Sequence, residues 1–311
     1  MIKVVVVSIF YITVVVTALV MVIIIFNMYH CNRYCLYLHC FVIKVMKTLE
    51  EVLNMRDDFF GSQLNEHCDT YEPGVVRDIS DALLAEYSQA KAKKQDKTMG
   101  NTDDIKYFLM NIFVAASDTS ASVLTWFMLY MVVYKNVQKK VQNELDAILG
   151  ENLSPRWKDA EKLPYLQATT CEVMRHSNFV PINLPHKAVR NSSIEGYHIP
   201  KDTTVLFNFA SIHSDPEEWQ EPTLFKPERF LDKYGNFLGW NALPGFLPFG
   251  AGRRMCVGEN LGKMQVFMVV SKVLHRFRLE PAEGKSEPKL ESNGGVIRYP
   301  KEYKIRAIKR F

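Results

Sequence analysis

The sequence predicts a mainly α-helical protein with small β-sheets, preceded by a transmembrane helix, and three observations carry that expectation. Residues Val4 to Phe26 include no charge and are mostly Val, Ile, Leu, Phe and Met. Ile105 to Tyr134 is a second long apolar stretch, followed by shorter amphipathic segments at Val141–Leu149 and Leu166–His176. Between Val189 and Phe209, and again in the tail, apolar and polar residues alternate in short runs separated by turn residues, as short strands do.

At about 1.5 Å of rise per residue, the first run is long enough to cross a bilayer as a helix. A signal peptide would have a shorter apolar core and a small-residue cleavage site, and no clear one follows. A buried hairpin of β-branched strands is the soluble alternative. Lys3 precedes the run, and Arg33, Lys44 and Lys47 follow it, so the positive-inside rule puts the rest of the chain in the cytoplasm. The expected division is therefore an anchor with its flank over residues 1–32 and one globular part over 33–311. Cys31, Cys35 and Cys40 sit beside the anchor. A metal site there would need a cleaner pairing of ligands, and acylation is a further alternative; structural thiols are the preferred reading.

Met46 to Lys97 reads as polar surface helices, one of them led by Asp78 with apolar positions at Ile79, Leu83 and Leu84. Lys91–Lys97, followed by Gly100 and Asn101, reads as a solvated loop. In the long apolar stretch, Asp103 and Asp104 stand where a helix dipole favours negative charge, and Asp118 is the only charge between Tyr107 and Tyr134. This stretch could be a second membrane span. However, Asn111, Ser117, Asp118, Thr119, Ser120 and Ser122 gather near its middle, and an acid within the bilayer is costly. A helix through the centre of a soluble domain is equally apolar all round, and that is the expectation adopted. Turns are expected at Asn191–Ser193 and Pro200–Asp202, then a Pro- and Gly-rich coil over Asp215–Gly258. A last helix is expected over Glu259–Phe277, buried from Val266 to Val270.

Composition narrows the function. With 48% hydrophobic and 23% charged residues in 311, the chain can build a sizeable core. Its formal net charge of +4 comes from scattered Lys and Arg and gives no support to nucleic-acid binding. Six cysteines are too few for a disulfide scaffold and indicate a reducing compartment. No Gly-x-Ser-x-Gly elbow and no phosphate loop is present, so hydrolase and nucleotide-loop chemistry lack a basis.

The chemistry concentrates in Phe249-Gly-Ala-Gly-Arg-Arg-Met-Cys256-Val-Gly258. A thiolate is a strong donor to iron and is held deprotonated by backbone N–H groups or a helix N-terminus. Glycines let such a loop turn sharply, Arg254 can grip a carboxylate through its planar fork, and Phe249 can shield the sulfur from water. A buried cysteine in a Gly-rich turn is the plainer reading. Against it, Phe249, Gly252, Arg254, Cys256 and Gly258 match all five fixed positions of F-x-x-G-x-R-x-C-x-G. Such a match arises by chance in on the order of one chain in ten thousand.

On these residues the sequence resembles the cytochrome P-450 family of haem-thiolate monooxygenases, and three further motifs agree. Ala115-Ala116-Ser117-Asp118-Thr119-Ser120 resembles the family's oxygen-binding patch, with Ala116 where glycine is usual. There Asp118 and Thr119 would relay protons. Glu172-Val-Met-Arg175 resembles the family's structural ion pair, completed by Arg229 of Pro227-Glu228-Arg229-Phe230. Asn178 stands just beyond it, where many members have proline. Leu184-Pro185-His186-Lys187-Ala188 places His186 where the family offers a propionate ligand. Ala115, Phe179, Val180 and Leu184 would line the substrate side. The wording around His186, Trp219 and Arg229 resembles the animal microsomal branch of steroid 17-hydroxylases and drug-metabolising enzymes.

The resemblance covers about Thr48 to Phe311, the carboxy-terminal part of that fold. It implies haem b (iron protoporphyrin IX) bound by the Cys256 thiolate, with Phe249, Arg254, His186 and Gly258 contributing to its site. It also implies electrons from NADPH through a reductase and cytochrome b, an apolar steroid-like or xenobiotic substrate, and an endoplasmic reticulum membrane location facing the cytoplasm. Because the family has a long region before its central helix that has no counterpart here, a truncated gene product or incomplete gene model is expected. The alternative to an active monooxygenase is then a catalytically inactive, membrane-anchored remnant.

Overall fold

The computed structural model describes residues 34–92 and 102–311. The expected anchor over residues 1–32, the side chains of Cys31, Cys35 and Cys40, and the lysine-rich loop beyond Ala92 lie outside the described residues. The chain forms two compact units, Met1–Asp118 and Thr119–Phe311.

In the first unit, helices α1 (Tyr34–Asp69) and α2 (Ile79–Ala92) join the opening turns of α3 (Thr102–Val133). Leu64, Leu84 and Ile105 make a small buried cluster. Asp78 caps α2 as expected, its carboxylate accepting the N–H of Ser80 at 2.8 Å. Leu84 is buried, but Ile79 is exposed, since it sits in the first turn and away from the packed face. Asp81 is buried beneath the guanidinium of Arg77 at 2.6 Å and His67 at 3.0 Å, a salt-bridged cluster that ties α2 to the end of α1.

The second unit is built on the later turns of α3 and on α4 (Lys135–Leu149), α5 (Pro164–Ser177) and α7 (Glu259–Arg276); α6 (Phe209–Ile212) is a single turn. Burial of α3 is nearly continuous from Val123 to Val132, so this half is a core helix as expected. Tyr107, Phe108 and Phe113, on the turns before it, are exposed. On α4, Val141, Leu145 and Leu149 recur every fourth residue and are buried together. The last helix stops at Arg276, and its burial is one-sided: Val266, Phe267 and Val270 are buried while Val269 is exposed.

Three two-stranded antiparallel sheets complete the unit. They pair β1 (His186–Lys187) with β4 (Thr204–Val205), β2 (Ser192–Ile194) with β3 (Tyr197–Ile199), and β5 (Phe277–Pro281) with β6 (Ile305–Lys309). The turn expected at Asn191–Ser193 is therefore partly strand. Glu195 and Gly196, at φ 48° and 80°, make the reversal instead. Asn191 serves the neighbouring turn, accepting the Lys201 N–H at 2.7 Å.

The outer edge of β5 is closed by side chains of α4. The Gln138 amide accepts the Leu279 N–H at 2.7 Å and donates to the Leu279 carbonyl at 3.0 Å, as a partner strand would. Its NH2 also reaches the Met131 carbonyl at 2.9 Å, and Gln142 donates to the Phe277 carbonyl at 2.9 Å. An unpaired strand edge is a site for mispairing, and these amides cover it within the core. Gln138→Leu keeps the volume but leaves three buried backbone groups short of a partner. The expected loss is about 2 to 3 kcal/mol in urea denaturation. A change under about 0.5 kcal/mol, the range of neutral surface substitutions, would show that the edge is held by other means.

Candidate active site

The cysteine loop owes its shape to glycine. Gly250 and Gly252 lie at φ 72° and 73°, in the left-handed region that a side chain resists. Between them and α7 the backbone closes on itself, with the Cys256 N–H donating to the Phe249 carbonyl at 2.8 Å. Gly258 stands at the N-cap of α7, an 18-residue helix, so Cys256 precedes the positive end of a helix dipole by two residues. The thiol is exposed, and so are its neighbours Met255 and Val257, the latter by 84%. Phe249 is half-buried, and its ring lies against α7 at Gly262, where an added Cβ would meet it at an ordinary contact distance of 3.6 Å. Arg254 is exposed at the loop's surface.

Behind the loop, the three residues expected to form a network do so. Arg175, 1% exposed, forks onto fully buried Glu172 at 2.7 and 2.8 Å. Arg229 approaches the same carboxylate at 3.4 Å, and the Lys226 N–H donates to it at 2.9 Å. The remaining guanidinium hydrogens are spent on carbonyls: Arg175 on His213 at 2.7 Å and Pro222 at 3.0 Å, Arg229 on Gln220 and on Glu221 at 2.7 Å. Arg175 also lies 4.9 Å from the Trp219 ring centroid. From Trp219 the aromatic rings of Phe230, Phe246, Trp240 and Phe249 follow one another at 4.8 to 6.4 Å, so the network reaches the cysteine loop through packed side chains.

On α3 the boundary between the units falls between Asp118 and Thr119. Ala115 and Thr119, four apart, share one helix face. The next residue, Ser120, is buried and donates to Gln265 of α7 at 3.0 Å, which fixes this turn of α3 against the helix that begins after Cys256. Phe179 is tied in by backbone: its carbonyl accepts the Arg298 N–H at 2.7 Å, and the Arg298 carbonyl accepts from Ser122 at 2.6 Å and Trp126 at 2.9 Å. Phe179 is buried and Val180 partly so, while Leu184 is exposed. His186 is half-buried in β1 with its ring edge-on to Phe207 at 5.4 Å.

The cytochrome P-450 family model matches residues 15–307 of this chain. The chain belongs to the cytochrome P-450 family. It is 38% identical to a steroid 17-alpha-hydroxylase/17,20 lyase of Ictalurus punctatus, over 86% of this chain and 52% of that protein. It is 35% identical to cytochrome P-450 2D4 of Rattus norvegicus, over 79% of this chain and 49% of that protein. A solved zebrafish cytochrome P-450 with abiraterone matches at TM-score 0.73 and 34% identity, over 85% of this chain and 61% of that one. The chain thus spans about half the length of the curated relatives it matches.

As a cytochrome P-450 the protein has that family's fold, mainly helical with small sheets, and the family implies a haem with a cysteine thiolate ligand. The donor set fits such a group. A thiol stands exposed before a helix N-terminus, flanked by the uncovered apolar side chains of Met255 and Val257 that a flat apolar macrocycle would cover.

In this cytochrome P-450, His213, which bonds to the backbone at the start of the cysteine loop, has no signal in the sequence. His213 is buried; its Nε2 accepts the Leu247 N–H at 3.1 Å, so its Nδ1 carries the proton and donates to Asn178 Oδ1 at 3.2 Å. Burial, aided by the nearby Arg175 charge, lowers the pKa of His213 to about 4, so the ring is neutral as this pair of bonds requires. Both contacts join residues more than 30 positions apart, and no local pattern reports them.

Proposed function

We propose that this chain serves a haem-dependent monooxygenase that inserts one atom of dioxygen into an apolar, steroid-like or xenobiotic substrate. The observation that carries the reading is the exposed Cys256 thiol between left-handed glycines and the start of α7, backed by the buried Glu172–Arg175–Arg229 network. Haem, when bound, supplies dioxygen activation with electrons from NADPH delivered by a reductase or cytochrome b. Cys256 would hold the iron through its thiolate, and Phe249 would help shield the sulfur once the group covers it. Arg254 and His186 offer donors to the propionates. By the family resemblance, the Thr119 hydroxyl would orient a proton-bearing water and Asp118 would pass protons toward it. By the same resemblance, Ala115, Phe179, Val180 and Leu184 would line the substrate side. The steroid preference rests on the names of the relatives that match.

We place the protein at the endoplasmic reticulum membrane, catalytic part toward the cytoplasm, on the uncharged run Val4–Phe26 and its basic flank. One set of measurements tests the whole reading. Microsomes expressing the full chain with its reductase are extracted with carbonate, reduced under carbon monoxide, and assayed for NADPH-dependent steroid hydroxylation. Retention in the membrane, a thiolate-type red-shifted band and coupled product are expected, with Thr119→Ala diverting electrons to peroxide. A chain that stays in the membrane without binding haem would instead favour an inactive, anchored protein.

A further inference from the structure

His213 is a buried group that the proposed chemistry does not use, yet it lies where the cysteine loop meets the core. Its two ring nitrogens are committed in opposite directions, to Leu247 N at 3.1 Å and to Asn178 Oδ1 at 3.2 Å. Its own carbonyl accepts from Arg175 at 2.7 Å, so the residue is fixed at both backbone and ring. The ring also stacks on Phe209 at 6.3 Å and lies tilted to Phe246 at 5.9 Å.

What it holds leads directly to the thiol. The Leu247 carbonyl accepts the Gly250 N–H at 3.1 Å, forming the turn that places Phe249, and the Phe249 carbonyl accepts the Cys256 N–H at 2.8 Å. Displacing Leu247 therefore displaces the start of the loop. We propose that His213, oriented by Asn178, is a positioning residue that sets the cysteine loop through the Leu247 N–H. Asn178 suits the task because it closes α5 in the left-handed region, at φ 46° and ψ 47°, where asparagine is tolerated and proline is forbidden. The role of the loop as haem ligand rests on the function proposed above; the tie itself does not.

The test uses the full chain and two readouts. Hydrogen exchange of backbone amides 246–256 reports the loop without haem, and the fraction of thiolate-type carbon-monoxide band reports it with haem. His213→Phe removes both bonds while keeping an aromatic ring; exchange in this segment is expected to rise about tenfold, and part of the thiolate band is expected to convert to the thiol type. His213→Gln, which keeps one donor and one acceptor, should recover most of both. Asn178→Gly keeps the left-handed backbone without the acceptor and should fall between. Exchange within about twofold of the parent in His213→Phe would overturn the proposal. If that variant loses its structure globally, Asn178→Gly decides: a rise confined to 246–256 supports the tie, and no rise overturns it. A parent without a thiolate band, but with exchange that answers to His213, would sink the haem reading and leave the positioning role standing.

Discussion

Cys256→Ala is expected to abolish the thiolate-type carbon-monoxide band, and with it any hydroxylation that the proposed function assigns to the chain. The residue is exposed, and its backbone N–H, which closes the loop on Phe249, survives the substitution. Folding stability should change by no more than about 0.5 kcal/mol, the usual range for surface positions. That asymmetry makes the experiment decisive: loss of the band with an unchanged urea midpoint isolates the sulfur from the fold. Alanine offers the iron no donor, and nothing else in the sequence from Phe249 to Gly258 can replace a thiolate. Persistence of the red-shifted band in Cys256→Ala would refute the assignment of the ligand, and with it the roles given to Phe249 and Arg254.

How much of this was legible beforehand depends on how local each determinant is. The loop could be read because its chemistry demands fixed residue types at fixed spacing, and the structure places Gly252 in the left-handed region and Gly258 at the helix start. Spacing three apart puts Glu172 and Arg175 on one helix face, but that spacing is common by chance, and the pairing, like the addition of Arg229, rests on the family resemblance. Helices α4, α5 and α7 followed from periodicity to within a few residues at most ends. The start of α4 was missed by six positions because Lys135–Lys140 carries polar residues that the apolar pattern ignores. The hairpin around Ile194 was misplaced since Asn191 and Ser193 look like turn residues, whereas Glu195 adopts positive φ beside Gly196. Gln138, Gln142 and His213 were invisible for a different reason. Each makes at least one hydrogen bond to backbone more than 30 residues away, where only the assembled fold supplies the partner.

Arg175→Leu is expected to be the most damaging substitution to the fold. Removing one member of a buried, hydrogen-bonded ion pair typically costs about 3 to 5 kcal/mol because the other charge stays behind without compensation. Here the loss extends further. Glu172, fully buried, would keep only the 3.4 Å approach of Arg229 and the Lys226 N–H, and the carbonyls of His213 and Pro222 would lose their donor. A domain whose whole stability is about 5 to 15 kcal/mol has little margin for that. Arg175→Lys should not rescue it, since a single ammonium cannot reproduce the two-pronged grip on Glu172 together with the donation to His213. Arg229→Ala should be milder, because Arg229 stands at the rim of the network and reaches Glu172 only at 3.4 Å. The ranking separates a structural network from a catalytic one. Urea midpoints should fall in the order Arg175→Leu, Arg175→Lys, Arg229→Ala, lowest first, and haem retention should follow the same order. An Arg175→Leu protein with the parent's midpoint would show that the pair is not what holds α5 to the segment from His213 to Arg229.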